Sequence, residues 1–297
     1  MPVLPADGVD FELRVPVVIV GAGACGLSAA LAARDGGAEV LVLERDPVPQ
    51  GSTALSSGMI PACGTKIQRA EGIEDSVELM ANDILAKAHH ETDPDMVRVV
   101  CTESGPAIDW LSETHGVELT LVGGFLYPGH SRLRMHAPVS RRGADLIGSL
   151  TRAAENAGIE VLTGARVTDL FAERDGRVAG LSFVRPDGGT DRVGCGALIL
   201  ACNGYGGNPD LVRKLIPEMA EANYFGHAGN QGDALLWGEG LGAASVDLGA
   251  YQGHGSVAHP HGILISWALM MRGGIQVNIE GRRFSNEHEG IPSRASG

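Results

Sequence analysis

Val15-Pro16-Val17-Val18-Ile19-Val20-Gly21-Ala22-Gly23-Ala24-Cys25-Gly26 is the stretch that decides the fold. Its first half is a short β-branched run, and Pro16 can sit at the start, where a strand tolerates a missing N–H. The second half reads G-x-G-x-x-G, directly after a strand and opening a helix. Gly21 permits the tight turn, Gly23 lets the backbone approach a pyrophosphate, and Gly26 lets helix and strand lie close together. Residues 27–34 are alanine-rich and continue the helix until Gly36-Gly37 stops it. Residues 39–43 form a second apolar strand, which completes a βαβ unit with parallel pairing. The helix N-terminus offers unpaired N–H groups and the positive end of its dipole to phosphates.

Glu44 closes the second strand, 18 residues past Gly26. An acidic side chain there accepts from ribose hydroxyls and repels a 2′-phosphate, which disfavours NADP. The βαβ unit alone does not choose between FAD and NAD. The next segment, residues 50–65, reads as a polar loop, and its Gly51-Ser52-Thr53-Ala54-Leu55-Ser56-Ser57-Gly58-Met59 carries four hydroxyls among small residues. Such a loop can run beside a long ligand; it can equally be a solvated Ser/Thr loop.

Farther along, apolar spacing predicts helices over 75–88, 93–114 and 143–157. Strands are expected over 159–162 and 166–172. Residues 178–185 and 190–194 read as a hairpin around Pro186-Asp187-Gly188-Gly189. A buried strand over 197–202 and a short helix over 233–240 follow. No internal repeat or low-complexity linker interrupts the chain.

Composition narrows the function classes. The 297 residues are 44% hydrophobic and 20% charged, as in an ordinary globular chain with room for a sizeable core. A net charge of −13 argues against a nucleic-acid partner, which needs a basic surface. No apolar run reaches the ~18 residues of a membrane span, and residues 1–14 lack the apolar centre of a signal peptide. The five cysteines are scattered, with no disulfide framework or C-x-x-C pair, so a cytoplasmic location is expected.

Taken together, residues 17–26, 41–58, 164–170, 197–208, 229–242 and 274–287 resemble the fumarate reductase/succinate dehydrogenase flavoprotein superfamily, especially its soluble members. Those members include 3-ketosteroid dehydrogenase-like and tricarballylate dehydrogenase-like enzymes. The resemblance implies an α/β fold: a Rossmann-like FAD-binding domain over 14–249, with an antiparallel β insertion in its parallel sheet, and the start of a substrate-cap domain over 250–297. It also implies non-covalent FAD in extended form, since residues 51–58 contain no histidine for covalent attachment.

The implied cofactor set is Gly21, Ala22, Gly23 and Gly26 at the turn, Glu44 with its neighbour Arg45 at the adenosine ribose, and Ser52 and Thr53 at the pyrophosphate. Ser57 and Gly58 would lie by the isoalloxazine, and Val167 would meet the adenine through its backbone. Ala201-Cys202-Asn203-Gly204 stands where the family has A-T-G-G, and Asp233 matches the aspartate of G-D-G near the flavin. His254 falls where relatives carry a substrate-contacting histidine.

The implied activity is hydride transfer between flavin and a C–C bond activated by carboxylate or carbonyl groups, with a small carboxylate or enone substrate and an unspecified electron donor or acceptor. Two departures separate the chain from fumarate reductase. Trp267 and Met270 replace an ionisable pair used for proton delivery, and Ile291 stands where a catalytic arginine is expected. The segment 291–297 leaves the family pattern, so the resemblance leads us to expect a C-terminally truncated chain with weak FAD binding and little turnover. A flavin-binding protein without turnover and an NAD-dependent dehydrogenase remain the alternatives.

Six side chains invite a further role. His254, His259 and His261 lie close together without an acidic or thiol ligand, so no metal site is expected. Cys63 lacks a basic neighbour in sequence and reads as inert. Arg282-Arg283 can grip a carboxylate or form a solvated turn.

Overall fold

A computed structural model of the chain describes residues 2–252, 257–258, 261, 263–265, 269–270, 272–284, 287 and 293–294. The described residues fall into two compact units. The first comprises Met1–Met59, His115–Glu118 and Ala137–Val246; the second comprises Ile60–Thr114, Leu119–His136 and Asp247–Gly297.

The elements run in the order β1 (Val3–Pro5), β2 (Leu13–Val20), α1 (Ala24–Asp35), β3 (Val40–Leu43), α2 (Gly51–Leu55), β4 (Ile60–Pro61), α3 (Lys66–Ala70), α4 (Val77–Lys87), α5 (Pro94–Glu113), β5 (Thr120–Leu121) and β6 (Met135–Ala137). They continue with α6 (Gly143–Asn156), β7 (Glu160–Leu162), β8 (Arg166–Ala172), β9 (Val178–Val184), β10 (Thr190–Leu200), α7 (Pro209–Leu215), α8 (Asp233–Gly240), β11 (Tyr251–Gln252), β12 (Val257–Ala258), β13 (Ile263–Leu264) and β14 (Ser293–Arg294).

The first unit is built on a seven-stranded sheet in the order β1-β8-β9-β10-β2-β3-β7. Pairing is parallel between β1 and β8 and throughout β10-β2-β3-β7; only β8-β9 and β9-β10 run antiparallel. This is the expected parallel sheet with an antiparallel insertion. β3 is buried at all four positions, as a central parallel strand covered on both faces must be. Val18, Leu41, Leu43, Leu170, Leu181 and Trp237 share one apolar cluster, and each fully buried aliphatic side chain contributes about 1.5–3 kcal/mol.

One strand differs from its sequence reading. Residues 190–194 and 197–202 look like two strands separated by Gly194 and Gly196, yet β10 is continuous through both glycines. The glycines are there for space. A Cβ on Gly194 would lie 2.9 Å from Arg14 Cγ and 3.1 Å from Phe11 Cβ, and one on Gly196 3.0 Å from the Pro16 carbonyl oxygen; on the adjacent β9, one on Gly180 would lie 2.4 Å from the Phe11 ring. Phe11 in turn meets Phe171 edge-on at 5.7 Å.

In the second unit, α4 and α5 form a helical pair whose starts are capped by Ser76 and Asp93 side chains. Thr65 and Gln68 form a capping box at α3. Arg134 is almost fully buried, and its guanidinium forks onto Asp75 at 2.7 and 2.8 Å while also bonding Asp83. Gln68 donates to Asp75 as well. Removing one member of such a buried ion cluster costs about 3–5 kcal/mol, because the remaining charge loses its partner.

Candidate cofactor site

The first unit contains a cavity of about 440 Å³ at the C-terminal ends of β2, β3 and β10. That volume falls in the range of small-molecule and cofactor sites. Its wall includes Gly21, Gly23, Ala24 and Cys25 from the turn, Glu44, Arg45 and Asp46 after β3, and Gly51, Ser52 and Thr53 from α2. Ala165, Arg166, Val167, Ala201, Cys202, Asn203, His227, Asn230, Asp233 and Trp237 line the remainder.

The glycine turn does what its spacing demands. Gly21 has φ of +104°, and a Cβ there would lie 2.6 Å from the Ala201 carbonyl oxygen. A Cβ on Gly26 would lie 1.8 Å from the Gly21 oxygen. Gly23 is different: an added Cβ would meet only Thr53 Oγ1, at 3.7 Å. Its open side faces the cavity, so glycine there serves a ligand's approach rather than the protein's own contacts. Gly23 also N-caps α1 without a side-chain hydrogen bond of its own, and Gly23, Ala24 and Cys25 at the start of the helix line the cavity.

Glu44 is buried, and both carboxylate oxygens are fastened. The Ala22 amide donates to one at 2.8 Å and the Asp46 amide to the other at 2.9 Å. Each oxygen keeps acceptor capacity for hydroxyl donors from the cavity. Thr53 Oγ1 accepts from the Ala24 amide at 3.2 Å, which ties α2 to the start of α1. Ser52 Oγ accepts from the His227 amide at 3.2 Å and from Asn230 Nδ2 at 2.9 Å.

The Ala201–Gly204 turn explains one departure from the family pattern. Asn203 has φ of +66°, a left-handed conformation, and its Oδ1 accepts from the Gly204 amide at 2.8 Å. Asparagine tolerates this region better than most side-chain-bearing residues, so it can hold this turn in place of the glycine that the resemblance led us to expect. Beside it, burial first and the Asp233 charge second push the Cys202 thiol up to about 11, which disfavours its thiolate form. Burial also raises the Asp233 carboxyl above its ordinary value, against the pull of Arg45 and Arg166.

Most of the residues expected from sequence meet here. Gly21, Gly23, Glu44, Arg45, Ser52, Thr53, Val167, Ala201, Asn203 and Asp233 all line the cavity. Ala22 and Gly26 stand behind the wall, one holding Glu44 and the other allowing close approach of the turn to α1. Gly204 lies next to the wall, and the Gly232 amide donates to its carbonyl at 3.0 Å. Ser57 is exposed, and Gly58 is buried against Gly143 and the Arg142 carbonyl; neither borders the cavity. His254, His259, Trp267 and Ile291 lie outside the described residues.

Sequence reasoning missed the loop that closes one side. The Gly229 amide donates to His227 Nδ1 at 3.0 Å, so Nε2 carries the proton facing Asp46 Oδ2 at 2.9 Å. Arg45 donates to the Gly229 carbonyl at 2.7 Å, and Asn230 is buried between Ser52 and Tyr224. In sequence these residues look like ordinary loop; only their long-range partners reveal them.

Other candidates resolve within the second unit. Arg283 is held by Glu287, whose pKa that pairing, together with the Gln276 amide, lowers to about 2. Arg283 is thus engaged internally, whereas Arg282 is exposed beside Glu280. Burial raises the Cys63 and Cys101 thiols.

A protein-family model described as FAD binding domain matches residues 16–294. The chain belongs to this family. FAD is its cofactor, and the open Gly23 face, the fastened Glu44 and the cavity they share fit that group. This flavoprotein is 34% identical over 285 residues to a fumarate reductase (cytochrome) of Shewanella frigidimarina, covering 95% of this chain and 48% of that protein. It is 34% identical over 280 residues to a urocanate reductase of Eggerthella lenta, covering 93% of this chain and 46% of that one.

Among solved structures, it superposes on the open conformation of a flavocytochrome c3 fumarate reductase with a TM-score of 0.83 at 30% identity, covering 95% of this chain and 50% of that one. The flavoprotein therefore spans about half the length of the relatives it matches. Among its described residues, no helix is long and apolar enough to cross a membrane.

Proposed function

We propose that this flavoprotein is an FAD-dependent oxidoreductase acting on a C–C bond beside a carboxylate or carbonyl group. The observation that supports it most is the convergence of the Gly23 face, Glu44 and Asp233 on one cavity in a chain of the FAD-binding family. Bound FAD supplies hydride transfer chemistry. The chain's residues supply the hold: Glu44 accepts from the adenosine ribose, and Ser52, Thr53 and the first-turn amides of α1 receive the pyrophosphate. Val167 borders the adenine, and Asp233, Ala201, Asn203 and Gly204 meet the flavin-side half. Ser57, Gly58 and His254 belong to the same proposal, on the flavin and substrate side. The division into a 14–249 cofactor domain and a 250–297 cap segment belongs to it too.

Fumarate is not the preferred substrate in this reading. Met270 is apolar and buried where fumarate reductases carry an ionisable residue, so proton delivery by that route is closed. A relative named urocanate reductase supports including acids other than fumarate among the candidates. The test is anaerobic reoxidation of the reduced flavoprotein by a panel of fumarate, urocanate, tricarboxylates and enones. Faster reoxidation by a larger acid or an enone supports the reading. Fumarate as the fastest oxidant overturns the specificity, and no reoxidation by any member overturns the activity.

A further inference from the structure

Trp237 is fully buried in α8, belongs to the apolar cluster of the main sheet, and lines the cavity. Leu43, Ala165, Val167 and Leu200, which line the same cavity, pack with Trp237 in one apolar cluster. The indole Nε1 is buried and has no hydrogen-bond partner among the described residues. Indole is a donor only, so no local rearrangement of its own ring can satisfy it. Buried polar groups are almost always paired, and an orphan donor at a ligand cavity calls for an acceptor from the ligand. The same cavity is lined by Gly23 and Thr53 of the anion-receiving turn, so a ligand that meets both sets joins an anion to a flat, largely apolar group that carries acceptors. An adenine ring with its ribose has that character: aromatic faces, ring nitrogens and hydroxyl oxygens.

We propose that Trp237 is a selectivity residue for the adenosine half of the dinucleotide, its Nε1–H donating to an acceptor of that half and its ring forming part of the apolar wall. This rests on the cofactor reading above.

The test compares the parent chain with Trp237→Phe, which keeps an aromatic ring and removes the donor. FAD and ADP are titrated into each apoprotein, ADP being the probe for the adenosine half alone, and thermal midpoints are measured with and without ADP. The expected result is a loss of about tenfold in affinity for both ligands, the equivalent of one hydrogen bond. The apo midpoint should stay equal or rise, because the variant no longer buries an unpaired N–H, while the ADP-induced rise shrinks. Equal ADP affinity in the two proteins overturns the proposal. So does a fall in the apo midpoint with an undiminished ADP-induced rise, which marks a packing role only. A parent chain that binds neither ligand overturns the cofactor reading, and this inference with it; parent binding matched by the variant overturns this inference alone.

Discussion

The Ala22 amide donates to the Glu44 carboxylate at 2.8 Å, linking the glycine turn to the end of the second strand. The acidic residue that marks a ribose site in sequence is also a structural clamp. Two backbone N–H groups converge on it, so an amide side chain cannot replace it: one amide hydrogen pair would face a donor. Glu44→Gln should destabilise the apoprotein by about 1.5–3 kcal/mol, the scale of a hydrogen bond to a charged group. It should also weaken FAD binding. Chemical denaturation and FAD titration of the variant check both effects.

The glycines of the turn should separate fold from binding. Gly26→Ala drives a Cβ into the Gly21 carbonyl oxygen, so the apoprotein should lose about 3 kcal/mol or fail to fold. Gly23→Ala meets no close protein atom and should leave the apo midpoint nearly unchanged. Gly23→Val should abolish FAD binding by filling the approach to the backbone. Retention of the parent's flavin affinity by Gly23→Val would falsify the pyrophosphate assignment.

Asp233 should trade stability against binding. Its carboxyl is raised by burial, so the charged form carries a folding penalty at neutral pH that is relieved as pH falls through the raised value. Asp233→Asn removes the penalty. The variant's apo midpoint should exceed the parent's at pH 7, with the gain vanishing below the ordinary value of 3.8. Its FAD affinity should drop. Matched apo midpoints at pH 7 would count against the burial argument.

His136 sets an acid limit on the second unit. It is fully buried, its Nδ1 donates to the Arg134 carbonyl at 2.8 Å, and its Nε2 accepts from Thr65 Oγ1 at 2.9 Å. Burial lowers its pKa below the ordinary 6.5. The folded state therefore binds fewer protons than the unfolded state, so the stability present above 6.5 is lost as pH falls through the lowered value. Thermal midpoints should decline across this window in the parent. In His136→Gln the overall midpoint should be lower but the slope flatter. An equally steep slope in the variant would assign the acid sensitivity elsewhere.

The parts of the molecule readable from sequence are those governed by short-range rules. The βαβ unit was legible because strand, turn and helix each carry a local signature, and helix α5 because Asp93 and Pro94 mark its start. The loop read over 50–65 hides α2, whose five residues have too little periodicity to show a face. The continuity of β10 was hidden because its glycines read as breakers, whereas Gly194 answers to Arg14 and Phe11 and Gly196 to the Pro16 carbonyl, all far away in sequence. Arg134 meets Asp75 and Asp83 across 59 and 51 residues, and Ser52 meets Asn230 across 178. No local pattern encodes such pairs; only the folded chain brings them together.

The most direct measurement is titration of the apoprotein with FAD, followed by visible absorption and by competition with ADP and with NAD⁺. Saturable binding approaching one FAD per chain, with a perturbed flavin band and displacement by ADP, is the expected result. No saturable FAD binding, or tighter binding of NAD⁺ than of FAD, contradicts the assignment of this cavity to FAD.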